Sequence, residues 1–254
     1  MSTTSPIKLQ TFFDGAALLL EFGPAPANIV DREAIAALRG ALKEAAIRPG
    51  LKVVVIRGEG KHFSYGASVP EHVPGEVDKM LPEFHALLDE MNQPGLPPLI
   101  AEVRGRCLGG GLEVALACDL IAVEDDAVLG CPEIKLGVFP PAGSALLPLR
   151  VPAGKAMAML LAGEMISGIE ALAMGLADLN ADDLTKWIEK SLLPLSAVAI
   201  CHTRQAARWP WKDATKRILP LLEQQYLGEL MATHDAVEGI QSFLEKRKPE
   251  WKNQ

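Results

Sequence analysis

The chain has 254 residues, of which 49% are hydrophobic and only 5% aromatic, so its core must consist mainly of aliphatic side chains. The formal net charge of −7 disfavours nonspecific nucleic-acid binding, which requires a basic surface, but leaves room for a local basic patch that binds a phosphorylated small ligand. No apolar run reaches the roughly 20 residues of a membrane span, and Met1–Pro6 lacks the basic and apolar regions of an export signal. We therefore expect a cytoplasmic protein with neither a nucleic-acid nor a membrane partner.

Strand-like and helix-like segments alternate through the first two thirds of the chain. A strand predicted at 16–22 precedes a helix that begins after the N-cap Asp31 and ends at Ala45. This alternation favours parallel strands joined by crossover helices, and thus an α/β fold. Further buried strands are predicted from their apolar composition at 52–57, 99–103 and 120–123.

The last third of the chain has a mostly helical pattern. Residues 171–176 form a predicted helix with a glycine stop, and 219–246 predict one or two amphipathic helices. We therefore divide the chain into a core over residues 1–190 and a C-terminal helical region over residues 191–254.

The four cysteines predict no metal site. They form no CxxC pair, and neither they nor the histidines have the spacing of metal ligands. Their pattern is typical of reduced core thiols. The residues concerned are Cys107, Cys118, Cys131 and Cys201.

The most informative segment is the glycine triplet 109–111, which lies between a predicted strand and a predicted helix. The triplet either allows close helix–strand packing or exposes N–H groups to a ligand oxygen. The pattern argues against a dinucleotide-binding loop, because GxGxxG is absent and no suitable acidic residue follows. The helix N-terminus should also favour the ionised form of Glu113.

Two carboxylates accompany this loop. Glu113 or Glu133 alone would be typical of a solvated surface residue, but Glu133 follows a strand end, where α/β proteins place their sites. A backbone donor loop and two carboxylates suit proton transfer beside a carbonyl group.

The segment 62–68 offers a second backbone donor. An unusual angle at Gly66 would turn the Ala67 N–H outward, although an ordinary strand-to-helix turn also explains the pattern. Nearby His62, Tyr65 and His72 either contact a substrate or fill the core. At the other end of the chain, the basic run 243–248 is either a solvated helix end or a phosphate-binding element.

Five blocks in this order resemble the crotonase, or enoyl-CoA hydratase/isomerase, superfamily over about residues 19–251. The resemblance implies a ββα spiral core with a helical C-terminal region that oligomerises, and hence a homotrimer or homohexamer. The blocks that carry it lie at 62–67, 105–119, 130–137, 161–167 and 243–248.

The resemblance also implies roles for individual residues. The N–H groups of Ala67 and Gly110 match the oxyanion hole for a thioester carbonyl, and Glu113 and Glu133 match the two catalytic glutamates of the hydratases. The implied partner is an acyl-CoA thioester, with no separate cofactor because CoA is part of the substrate. The implied CoA- and substrate-binding residues are Ser64, Ser68, Val69, Gly109, Phe243 and Lys246.

Two departures from the family pattern border the implied acyl pocket. Ser68 stands where aspartate is common, and Pro141 stands where glycine is common. The segment 66–72 is similar to that of members that add water to a conjugated cyclic dienoyl-CoA, a 1,4-addition in anaerobic benzoyl-CoA degradation. The alternatives are a general enoyl-CoA hydratase/isomerase of fatty-acid β-oxidation and, more remotely, a non-catalytic CoA-binding scaffold.

Overall fold

The computed structural model describes residues 6–254, so the prediction about an export signal falls almost wholly on Met1–Ser5, outside the described residues. From residue 6 onward, no helix is both long and apolar enough to cross a bilayer. The strands are β1 (Ile7–Phe12), β2 (Ala17–Phe22), β3 (Val53–Gly58), β4 (Leu99–Val103), β5 (Arg106–Leu108), β6 (Leu120–Val123), β7 (Val128–Gly130), β8 (Met165–Ser167) and β9 (Leu179–Asn180). The helices are α1 (Arg32–Ala46), α2 (Val77–Glu90), α3 (Gly110–Ala117), α4 (Pro141–Leu146), α5 (Ala153–Ala162), α6 (Gly168–Met174), α7 (Leu184–Ser191), α8 (Ala197–Ala207), α9 (Trp209–Asp213), α10 (Leu219–Gly228) and α11 (His234–Leu244).

The main sheet has the strand order β1-β2-β3-β4-β6-β9. β1 is antiparallel to β2, and the other neighbours are parallel. The predicted alternation of parallel strands and crossover helices is thereby confirmed. Helix α1 also begins as predicted, because the Asp31 carboxylate accepts a 2.8 Å hydrogen bond from the Ala34 N–H.

Both faces of this sheet are covered. Along β2, Leu18 and Leu20 pack into the larger core, whereas Leu19 packs into a smaller core that includes Leu184 and Ile188 of α7. Side chains alternate across a strand, so a continuous apolar run fills two layers. The predicted buried strands are predominantly apolar because they lie between these two cores.

A second, three-stranded sheet brings the predicted site segments together. β5 pairs with β7 in parallel, with Leu108 opposite Gly130, so the segments that follow these strands begin side by side. Isolated bridges join Ser64 to Cys107 and Val30 to Ala67. The Ala67 loop, the glycine loop and the Glu133 segment therefore meet at one place.

The C-terminal helices fold back over this place. Tyr226 of α10 and Ile240 of α11 pack with Val77 and Leu81 of α2 in one apolar cluster. The domain boundary near residue 190 stays a prediction. All four cysteines are free, and all but the partly exposed Cys201 are buried, in agreement with the prediction of reduced core thiols.

Candidate active site

Two backbone N–H groups lie side by side at the glycine loop. Gly66 has a φ of 113°, the unusual angle expected from the sequence. A Cβ built on Gly110 would lie 3.0 Å from the Ala67 nitrogen and 2.9 Å from the Ala67 Cβ, which leaves no room for a side chain. Within residues 6–254, neither the Ala67 nor the Gly110 N–H has a hydrogen-bond acceptor. Both donors are therefore available to a ligand oxygen.

Gly109 holds the loop against a carboxylate. Its φ is 49°, and a Cβ built on it would lie 2.6 Å from the Oε1 atom of Glu133. The Gly109 N–H donates a 2.9 Å hydrogen bond to the Gly130 carbonyl. Glycine is thus needed here both for the backbone angle and for the approach of Glu133.

Glu113 lies in the first turn of α3 and is only 5% exposed. Its Oε1 atom accepts a 2.7 Å hydrogen bond from the Gly143 N–H. Burial raises the pKa of Glu113, against the lowering effect of the Gly143 and Ala142 N–H groups. Burial therefore outweighs the stabilisation of the ionised form that was predicted from the helix N-terminus.

Glu133 lies on the short 3₁₀ turn Pro132–Leu136 that follows β7. Its Oε2 atom is buried and has no hydrogen-bond partner in the described part of the chain. Burial, and then the charge of Glu113, raises the pKa of Glu133. Two such interacting carboxyls titrate as a pair, and near neutral pH the pair retains a proton.

The donors and carboxyls line one cavity of about 100 Å³. Its polar part combines Ala67 and Gly110 with Glu113 and Glu133. Most of the remaining wall is apolar and suits a hydrocarbon group attached to a carbonyl. The apolar wall includes Val69, Phe84, Val138, Phe139, Pro141 and Ile240.

The structure does not place Ser64 on the cavity. Its side chain is fully buried, donates a 2.7 Å hydrogen bond to the Asn28 carbonyl and accepts a 3.0 Å hydrogen bond from the Gly66 N–H. These internal partners occupy the hydroxyl. Ser64 therefore shapes the loop that carries Ala67, which corrects the prediction of a direct contact with the substrate.

Ser68 is also absent from the cavity wall, whereas its neighbours Val69 and His72 line it, as does Tyr65. The Ser68 carbonyl accepts a 2.8 Å hydrogen bond from Nδ1 of His72. Burial lowers the pKa of His72, so the imidazole is neutral and Nδ1 carries the proton. Of the two departures from the family pattern, only Pro141 faces the acyl cavity directly.

Phe243 and Lys246 lie at the exposed end of α11, outside the cavity of their own chain. Next to them, the Arg247 guanidinium is paired with Glu238 and Glu245. The neighbouring lysines of this basic run are exposed. The CoA-binding roles of Phe243 and Lys246 therefore stay predictions.

Sequence reasoning missed two contributors to the site. Tyr226 of α10 lines the cavity, and Gly143 anchors Glu113 through its N–H. Tyr226 belongs to no motif, so the sequence offers no signal for it beyond its position in the predicted helical segment 219–246. The Gly143 contact spans 30 residues, and no spacing rule indicates it.

The fold and this site define the class of protein. The chain belongs to the enoyl-CoA hydratase/isomerase family, whose sequence model matches residues 22–254. It is 45% identical to the cyclohexa-1,5-dienecarbonyl-CoA hydratase of Thauera aromatica, with 98% of each chain covered. It is 35% identical to a probable enoyl-CoA hydratase of Bacillus subtilis (strain 168), with 90% of this chain and 92% of that protein covered.

The solved structures agree with this assignment. Carnitinyl-CoA hydratase from Mycobacterium avium superimposes with a TM-score of 0.85 at 27% identity, covering 99% of this chain and all of that one. An enoyl-CoA hydratase from Mycobacterium avium subsp. paratuberculosis K-10 superimposes with a TM-score of 0.82 at 28% identity, covering 98% and 99% of the two chains. The predicted crotonase-like fold and superfamily are confirmed.

Proposed function

We propose that this chain is an acyl-CoA hydratase that converts cyclohexa-1,5-diene-1-carbonyl-CoA to 6-hydroxycyclohex-1-ene-1-carbonyl-CoA in anaerobic benzoyl-CoA degradation. The observation that carries the proposal is the pair of buried carboxyls, Glu113 and Glu133, beside two free N–H groups in an apolar cavity. The 45% identity to the Thauera aromatica hydratase supports the cyclic substrate.

The N–H groups of Ala67 and Gly110 bind the thioester oxygen. They polarise the carbonyl and stabilise the dienolate that forms when water adds. Loss of one donor of this kind typically costs about 3–4 kcal/mol of transition-state stabilisation. Since the donors are held by the fold before substrate arrives, little reorganisation is needed during the reaction.

The carboxyl pair supplies the base and the acid. The ionised carboxyl removes a proton from water as its oxygen bonds to the ring carbon β to the thioester carbonyl. The electron pair of the α,β double bond of the ring moves into the dienolate. The protonated carboxyl then delivers a proton to the carbon at the other end of the diene. One water is consumed, one double bond remains, and the carboxyl pair regains its single shared proton after proton exchange.

The reaction as proposed requires no separate cofactor, because CoA is part of the substrate. We further propose a cytoplasmic homotrimer or homohexamer, in which a neighbouring copy presents Phe243 and Lys246 to CoA. Exposed apolar side chains on α5 and α6 support contact with another copy, since such patches mark interaction surfaces. They include Met157 (51% exposed), Leu161 (66%) and Ile169 (60%).

A second candidate is a general enoyl-CoA hydratase, which the 35% identity to the Bacillus subtilis protein favours. The test is a hydration assay with cyclohexa-1,5-diene-1-carbonyl-CoA and crotonyl-CoA side by side, with mass spectrometry of the products. A strong preference for the cyclic diene, with a product heavier by one water, supports the proposal. A preference for crotonyl-CoA selects the second candidate, and binding without turnover points to a CoA-binding scaffold.

A further inference from the structure

Tyr226 places a phenol in the candidate site whose hydroxyl has no hydrogen-bond partner in the part of the chain that the structure describes. The residue lies on α10, is 2% exposed and lines the same cavity as Glu113 and Glu133. Its hydroxyl is buried and has no hydrogen-bond partner among residues 6–254. A buried hydroxyl without a partner is costly, and a molecule that occupies the cavity would supply the missing hydrogen bond.

The surrounding structure fixes the ring of Tyr226. The ring meets Phe139 edge to face, with the centroids 5.4 Å apart and the planes at 71°. One helical turn earlier, Glu223 pairs with His85 of α2 at 2.5 Å, which ties α10 to the helix across the cavity. The phenol is thus positioned before a ligand arrives.

The electrostatic environment makes this phenol a donor. Burial, and then the charges of Glu133 and Glu113, raise the pKa of Tyr226, so the hydroxyl stays protonated at neutral pH. Among the described side chains that line this cavity, the Oε2 atom of Glu133 is the other buried polar atom without a hydrogen-bond partner. An enclosed water molecule requires two to four polar partners, a number that the Tyr226 hydroxyl and the two carboxyls of this cavity can provide.

We infer that the Tyr226 hydroxyl donates a hydrogen bond to the oxygen atom that is added to the substrate, first as water and then as the product hydroxyl. The inference rests on the proposed function and deepens it. A water that donates its two hydrogens to Glu113 and Glu133 keeps two lone pairs. One attacks the ring carbon, and the other accepts the hydrogen bond from Tyr226, which completes the tetrahedral set.

This contact distinguishes the product from every ligand that lacks the hydroxyl. In the bound product, the new hydroxyl oxygen keeps the hydrogen bond from Tyr226. A cyclic acyl-CoA without the hydroxyl, such as cyclohex-1-ene-1-carbonyl-CoA, makes the same thioester contacts with Ala67 and Gly110 but not this one. The variant Tyr226→Phe should therefore discriminate between the two ligands.

The experiment measures the affinities of 6-hydroxycyclohex-1-ene-1-carbonyl-CoA and cyclohex-1-ene-1-carbonyl-CoA for the wild type and for Tyr226→Phe by calorimetry. We expect the hydroxylated ligand to bind about tenfold more weakly to the variant, and the other ligand to bind with unchanged affinity. In kinetics, kcat for hydration should fall by at least tenfold while KM changes little. An equal loss of affinity for both ligands, or no loss of affinity for either, would overturn the inference.

The matched control is Thr215→Val. Thr215 is another buried hydroxyl, just before α10, and accepts a hydrogen bond from Asn92 outside the cavity. This variant should bind both ligands with the affinities of the wild type. If it instead discriminates between the ligands as strongly as Tyr226→Phe does, the effect is a general one of losing a buried hydroxyl, and the inference is overturned. A wild type that neither hydrates nor binds the cyclic ligands would instead overturn the proposed function.

A measurement on the wild-type sequence covers the case in which Tyr226→Phe fails to fold. The chain has only two tyrosines, so protein labelled with fluorotyrosine gives two ¹⁹F resonances, assigned through Tyr65→Phe. We expect the Tyr226 resonance to shift further with the hydroxylated ligand than with its deoxy counterpart. Identical shifts with both ligands would count against the contact.

Discussion

The Oε1 atom of Glu113, on helix α3, accepts a 2.7 Å hydrogen bond from the N–H of Gly143, on helix α4. This contact fixes one carboxyl oxygen in a buried site. The carboxyl is held by a neutral donor and not by a cation, so burial still raises its pKa. The site thus gains a rigid carboxyl that retains affinity for a proton.

Replacing either carboxyl should separate catalysis from binding. In Glu113→Gln and Glu133→Gln, we expect kcat for hydration to fall about 10²- to 10⁴-fold, because a base or an acid is lost. Affinity for a non-reacting acyl-CoA should change little, since glutamine preserves the side-chain shape at both positions and, in Glu113→Gln, also the hydrogen bond from Gly143. Steady-state kinetics and calorimetry check both statements. Turnover close to that of the wild type would contradict the assigned roles.

The pH dependence of activity should be bell-shaped. Burial raises the pKa of both Glu113 and Glu133, and their interaction separates the two ionisations. At low pH both carboxyls are protonated and no base remains; at high pH both are ionised and no acid remains. We expect kcat/KM to peak near neutral pH. A flat profile between about pH 5 and pH 9 would be inconsistent with a pair that shares one proton.

The same pKa shift predicts a stability change. The pKa of Glu133 is higher in the folded state than in the unfolded state. Its contribution to the free energy of unfolding is therefore fully present below the unfolded-state pKa and is lost as the pH rises through the folded-state pKa. We expect Glu133→Gln to unfold at a higher temperature than the wild type in alkaline buffer. The difference in the free energy of unfolding between the variant and the wild type should approach about 1.4 kcal/mol for each unit of pKa shift at alkaline pH. It should vanish near pH 4, where Glu133 is protonated in both the folded and the unfolded state. Thermal unfolding at several pH values measures it.

Gly110→Ala should disable the donor pair. The added methyl group would lie 2.9 Å from the Ala67 Cβ and 3.0 Å from its nitrogen, so one N–H must move. We expect kcat to fall by about 10²-fold or more. Gly40→Ala is the matched control, because a Cβ on Gly40 of α1 has no neighbour within 4 Å. The control should keep its activity and gain up to about 1 kcal/mol of stability.

Pro141→Gly should broaden the choice of substrate. Pro141 is buried at the start of α4 and lines the acyl cavity, so glycine would enlarge and loosen that wall. We expect the ratio of kcat/KM for crotonyl-CoA to that for the cyclic dienoyl-CoA to rise about tenfold. Pro152→Gly, at an exposed proline outside the cavity, should leave the ratio unchanged. An unchanged ratio in Pro141→Gly would remove Pro141 from the account of specificity.

Local signals predicted the main secondary structure because they depend on nearest neighbours. Asp31 caps α1 as its residue type indicated, and the helix ends at Ala46, one residue past the prediction. The strand predicted at 99–103 has those bounds in the structure. In contrast, Ser64 could not be placed, because its partners Asn28 and Gly66 depend on how two loops meet.

The sequence by itself determined the order of strands and helices, the glycine loop and the two glutamate segments, since these follow from local backbone preferences and motif spacing. Only the tertiary structure decided the electrostatic environment of the site, and with it the pKa values of the two carboxyls. The tertiary packing buries Glu113 and Glu133 in one cavity and thereby raises the pKa of both carboxyls. It also adds Tyr226 to this cavity from a helix that is distant in the chain. Desolvation depends on everything packed around a group, so no local pattern in the sequence records it.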